Sequence, residues 1–137
     1  PFTVREVETF HDDRGGALRG TNTVRIFTAG GLSVAHLGDL GHQLTVEQAA
    51  AIGPVDAVLV PVGGVYTVDA AGAKAVCDAL HPRCVVPMHY HHAPYGLTEV
   101  DSVEPFLELW PAEEVHHLQG AAFELTEQTA GVMVPSF

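Results

Sequence analysis

The stretch Val34-Ala35-His36-Leu37-Gly38-Asp39-Leu40-Gly41-His42 decides how the rest of the chain is read. Its apolar run, Leu32 to Leu37, has the length and composition of a short buried strand. The run stops at Gly38-Asp39, where a glycine permits a sharp turn and leaves a carboxylate at the strand's C-terminal edge. Ligands and catalytic groups gather at such edges in α/β sheets. Asp39 is therefore the candidate centre of a metal site, with His36 and His42 on either side.

Working outward, Phe2 to Phe10 alternates apolar and polar residues, as a strand with one wet face does. It ends in the polar, glycine-rich turn His11-Asp12-Asp13-Arg14-Gly15-Gly16. Thr23 to Thr28 and Leu32 to Leu37 read as a hairpin turned by Ala29-Gly30-Gly31. Thr45 and Gln48 form a capping box for a helix over Val46 to Ile52, stopped by Gly53-Pro54. Val55 to Val62 is apolar throughout, as expected of a strand covered on both faces. A second helix, capped by Asp69 or Thr67, spans Ala70 to Leu80. Cys84 to Met88 is a further buried strand, in which Pro87 marks an edge or the last turn. Ser102 to Trp110 reads as a short helix. Val115 to Leu118, Ala122 to Leu125 and Gly131 to Val134 read as short strands. The pattern is an α/β layer with a mixed sheet, in a single domain over residues 1–137.

Composition excludes several classes of function. A net charge of −11 with only six Lys and Arg argues against nucleic acid and against an anionic membrane surface. No apolar run approaches the roughly 20 residues of a membrane span. The two cysteines, Cys77 and Cys84, lack metal-type spacing and are expected as free thiols in a reducing cytoplasm. Histidine is the anomaly. Nine histidines in an acidic chain suit metal binding, and they lie at element ends rather than in a tag-like run. His11, Asp39 and His89 each follow a strand, so neighbouring strands would bring them to one sheet edge. Imidazole and carboxylate together serve zinc, manganese or iron. Taken singly, Asp39 can also cap a turn, and the two histidines can be ordinary end residues.

The segments FHDDRGGALRGTNTVRIF (10–27), VAHLGDLGH (34–42), DAVLVPVGGVYTVDAAGA (56–73) and VVPMHY (85–90) resemble the C-terminal half of metallo-β-lactamase-fold hydrolases. The nearest branch looks like that of L-ascorbate-6-phosphate lactonase. HLGD, PVGG and PMH in this order are more specific than any one alone. The resemblance implies half of an αββα sandwich, one mixed sheet with helices on one face. It implies a metal-bound hydroxide acting on an ester, lactone or phosphate-type bond of a small molecule. His11 then completes one metal site, Asp39 bridges two metals as the catalytic carboxylate, and His89 serves the second. Zn²⁺ is the expected metal, with Mn²⁺ or Fe²⁺ also suited to these donors. His36 and His42 fall to supporting roles. Gly63 and Gly64 let the backbone pass close to the pocket, and Tyr66 and Thr67 are candidates to line it. His91, His92, His116 and His117 are expected in solvent.

The same family carries a His-x-His-x-Asp-His signature, which occurs nowhere in this chain. With His11, Asp39 and His89 alone, the two-metal site is incomplete, and the chain by itself is expected to be inactive. Pro1 as first residue, followed at once by a strand, is expected of a fragment of a longer protein. The expected partner is a complementing N-terminal half or a second copy. The alternative is a non-catalytic half-domain, or a degenerate homologue, that assembles through its sheet face.

Overall fold

A computed structural model describes residues 1–137. Seven strands form one mixed sheet, in sequence order except that the seventh lies between the fifth and the sixth. Strands β1 (Thr3–Phe10), β2 (Thr21–Ala29) and β3 (Leu32–His36) run antiparallel in sequence. Gly30 and Gly31, at φ 57° and 79°, make the two-residue turn between β2 and β3. Positive φ at both positions matches the strand twist, and glycine adopts it without strain. From β3 the sheet becomes parallel. Helix α1 (Val46–Ile52) leads to β4 (Ala57–Pro61), and α2 (Ala70–Leu80) leads to β5 (Cys84–Met88). Strands β6 (Val115–His117) and β7 (Gly131–Val134) complete the far edge.

The helix signals work as read. Thr45 and Gln48 exchange both capping-box bonds, and the Asp69 carboxylate accepts from Gly72 N to cap α2. Residues of all three helices share one core with the inward residues of β2 to β5 and β7, including Ile26, Leu37, Val58, Val60, Val76 and Phe106. The opposite sheet face carries a small buried cluster of Ala57, Cys84 and Met133. Cys77 and Cys84 are therefore free thiols on opposite sides of the sheet. Burial pushes their pKa values up to about 12 and about 11, which keeps both protonated and unreactive.

Two expectations are corrected. The helix over Ser102 to Trp110 shrinks to α3 (Glu104–Leu107). Leu109 and Trp110 continue only as three-residue turns onto Phe106 and Leu107, because Pro111 disfavours helical backbone at the residue before it. Ala122 to Leu125 is not a strand. It crosses the helix-free face, with Leu125 packed on the small cluster there, and a Thr126–Thr129 turn anchors it. Pro87 lies inside β5, but β7 pairs only with Cys84 and Val85, so its missing N–H removes no ladder bond on that side.

Candidate metal centre

His11 directly follows β1. Its amide donates to Gly20 O (3.0 Å), and Gly41 N reaches back to Phe10 O (2.9 Å). A Cβ at Gly41 would lie 2.3 Å from Asp12 N and from the His11 carbonyl carbon. Only glycine lets the segment after β3 lie backbone-to-backbone on His11. Asp12 fixes the other side. Its carboxylate is 2% exposed and accepts from four amides, Arg14, Gly16, Leu18 and Arg19, at 2.7–2.8 Å. Burial raises its pKa, but the four donors win and hold it far below the usual carboxylate range.

Asp39 is carried by a turn with Gly38 at φ 61°. His36 Nδ1 accepts from Gly38 N (3.0 Å), and Asn22 Oδ1 accepts from Asp39 N (2.8 Å). The Asp39 carboxylate is half exposed, and its Oδ1 stands 3.3 Å from His89 Nδ1. His36 has its pKa lowered by burial and by the charges of His89 and Arg25, against a raising effect of Asp39. Its imidazole is thereby favoured in the neutral form that can accept the Gly38 N–H.

His89 ends β5 in the left-handed region, at φ 57°, a conformation that costs a non-glycine residue energy and is retained where the surroundings enforce it. Gly63 makes room for that backbone, because a Cβ there would lie 2.2 Å from His89 O. Beyond Gly63, Gly64 (φ 74°) turns the chain toward Tyr66. The Tyr66 hydroxyl donates to Glu99 Oε1 (2.8 Å), and the Arg19 guanidinium lies 5.5 Å over its ring. The bond to Glu99 and that carboxylate's charge raise the Tyr66 pKa, while the same bond lowers that of Glu99.

His11, Asp39 and His89 line one cavity of about 410 Å³, together with Gly64, Tyr66, Thr67, Tyr90, Gly96, Leu97 and Val100. The residues predicted from three separate strand ends thus meet in one place. His36, His42 and Gly63 stand behind the wall. His42 Nε2 accepts from Phe10 N (3.1 Å), and its Nδ1 faces Gln43 O (2.7 Å). Neither His36 nor His42 bonds the Asp39 carboxylate; each holds backbone beside a site residue. His92 packs edge-on against Phe137, His91 is half-buried with Nδ1 unpartnered, and His116 and His117 are exposed on β6.

The donor types fit a metal such as zinc, manganese or iron, and the Asp39–His89 pair is open to the cavity. No three His, Cys, Asp or Glu side chains lie close enough together to enclose an ion. Sequence reading missed Asp12 and Asn22. Asn22 did leave a signal: it occupies the inward register of Val24 and Ile26, where an apolar residue is expected. The wall formed by Tyr90, Leu97 and Val100 left none, because it depends on how the 90–100 loop closes over β5.

Comparison with known proteins shows which family the chain resembles. A metal-dependent hydrolase of Carboxydothermus hydrogenoformans is 32% identical over 103 residues, covering 72% of this chain and 46% of that protein. The structure of a Thermotoga maritima protein, described as a candidate Zn-dependent hydrolase of the metallo-beta-lactamase superfamily, superposes with a TM-score of 0.83 at 38% identity. That match covers 98% of this chain and 64% of the other. Igni18, a metallo hydrolase of Ignicoccus hospitalis, matches 66% of this chain and 38% of its own at 28% identity, with a TM-score of 0.52. The chain spans about half the length of the curated relatives it matches. The beta-lactamase superfamily domain profile matches residues 1–89, which include all three candidate ligands, and the chain belongs to that family.

Proposed function

We propose that this chain carries part of the metal centre of a metal-dependent hydrolase. The observation that carries the reading is the meeting of His11, Asp39 and His89 in one cavity from the ends of β1, β3 and β5. Asp39 and His89, in contact at 3.3 Å, would serve one metal, and His11, on the β1 side of the same cavity, would serve a second together with Asp39. Zn²⁺ is the metal proposed, and Mn²⁺ or Fe²⁺ would accept the same donors. When bound, the metal would polarise a carbonyl or phosphoryl oxygen and lower the pKa of water. The bond attacked is proposed to be an ester, lactone or phosphate-type bond. The remaining donors are proposed to come from a complementing N-terminal half, consistent with the chain's length relative to its relatives. Residues 1–137 would then act as one unit, the C-terminal half of a sandwich.

In the complete protein, Asp39→Ala should abolish metal-dependent hydrolysis of ester and lactone substrates and lower the bound metal. Unchanged metal content with retained activity would overturn the reading. A second reading, a half-domain that only assembles, is favoured by the lack of an enclosed three-donor set. Metal analysis of the 137-residue chain separates them once the complementing half is added. Zinc taken up on addition supports the centre; none supports the scaffold.

A further inference from the structure

We propose that Asn22 is the positioning residue of the metal centre, and that its carboxamide sets how tightly Asp39 binds metal. The inference rests on the reading of Asp39 as a ligand. Asn22 is 9% exposed on β2, opposite Thr9 of β1. Both its donors and its acceptor oxygen are engaged, in three directions. Nδ2 donates to Thr9 Oγ1 (2.9 Å) and to Leu37 O (2.9 Å), and Oδ1 accepts from Asp39 N (2.8 Å). One side chain therefore grips the peptide groups on both sides of Gly38 and ties them to two strands. Gly38 belongs to the same device. A Cβ there would lie 2.6 Å from Asn22 Oδ1, so only glycine allows the turn to rest on the carboxamide.

Two features separate this from ordinary packing. A carboxamide in the inward register of Val24 and Ile26 replaces apolar burial with a group that is costly to desolvate unless every atom is paired. A valine there would serve the core better. The bonds also spend only backbone groups of the turn. Asp39 is held by its amide while its carboxylate, half exposed, keeps its oxygens for the cavity, with His89 as its neighbour. That division suits a ligand, whose backbone must be rigid and whose side chain must stay free.

The test measures Zn²⁺ affinity by chelator competition in the complete protein, and amide hydrogen exchange at Asp39 without metal. Asn22→Ala, and Asn22→Thr as a strand-compatible second variant, should weaken Zn²⁺ binding on the order of ten- to a hundredfold. Both should speed exchange of the Asp39 N–H. Thr9→Val removes a buried partner of Asn22 but leaves Oδ1 on Asp39 N, and should bind Zn²⁺ close to wild type even if its Tm falls. Wild-type affinity in both Asn22 variants would overturn the inference. So would a loss in Thr9→Val equal to that in Asn22→Ala, which would mean general loosening. Asp39→Ala is the control for the underlying reading. Undiminished zinc in that variant removes the metal centre itself, whereas zinc lost there and kept in the Asn22 variants removes only the role of Asn22.

Discussion

At the scale of single residues, the site is built by polar side chains that serve backbone rather than substrate. Asp12 is the clearest case. Four amides converge on one buried carboxylate, so the loop from Asp13 to Arg19 is folded around a negative charge beside His11. Asp12→Asn keeps the shape but turns an N–H₂ toward amides that are themselves donors, leaving them unpaired. The variant should melt well below wild type at neutral pH. The pH dependence has a definite sign. Because the folded pKa lies below the ordinary 3.8, the folded state binds fewer protons than the unfolded state as pH falls past that value. The stabilisation is present above 3.8 and is lost progressively on acidification below it. Calorimetry between pH 7 and pH 3 should show a steep acid limb in wild type and a shallower one in Asp12→Asn. The sequence displayed His11, Asp39 and His89 because each follows the end of a strand-like run. It hid Asp12 and Asn22, since a buried polar residue is recognised only by partners distant in the chain.

At the scale of elements, strands and long helices were legible because their signals are local. A capping box, a Gly-Gly turn and unbroken apolar runs each act within a few residues. Ala122 to Leu125 was misread because its apolar pattern serves coverage of a sheet face, which composition cannot distinguish from a strand. Elements also divide the labour between the two ends of the sheet. The C-terminal ends of β1, β3, β4 and β5 carry the site. The N-terminal ends of β3, β4 and β5 are joined by Asp56, which accepts from Ser33 N (2.7 Å) and from Arg83 Nη2 (2.9 Å), while Arg83 Nη1 donates to Thr129 O. Asp56→Ala should therefore cost about 1–2 kcal/mol, the low end for charged hydrogen bonds because the pair is partly exposed. Denaturant titration should show that loss with metal affinity unchanged. Gly63→Ala should do otherwise. Its Cβ would strike His89 O, so the variant should lose metal affinity along with stability, and the two substitutions together separate the ends.

At the scale of the whole molecule, the sheet has one face under three helices and one face nearly bare. The register places Val4, Phe27, Val34, Ala57 and Cys84 in a single row across the bare face. The Ala121–Leu125 segment lies along the β3–β5 part of it, and Phe2, Val4 and Phe27 remain 64%, 46% and 36% exposed. No helix is long and apolar enough to cross a membrane, so lipid-spanning helices do not account for this surface. Our proposal that a complementing half completes the metal centre accounts for it directly, because the half that brings the missing donors would also lie on this face. Phe27→Glu tests that link. In the 137-residue chain Phe27 is 36% exposed and packs against Phe2, so the substitution should lower the melting temperature only modestly. In the complete protein Phe27 would be buried, and the same substitution should cost at least about 1.5–3 kcal/mol, the value of burying a phenylalanine side chain. Equal effects in the two proteins would mean that the face meets water in both, and the missing donors would then have to reach His11, Asp39 and His89 from the cavity rim instead.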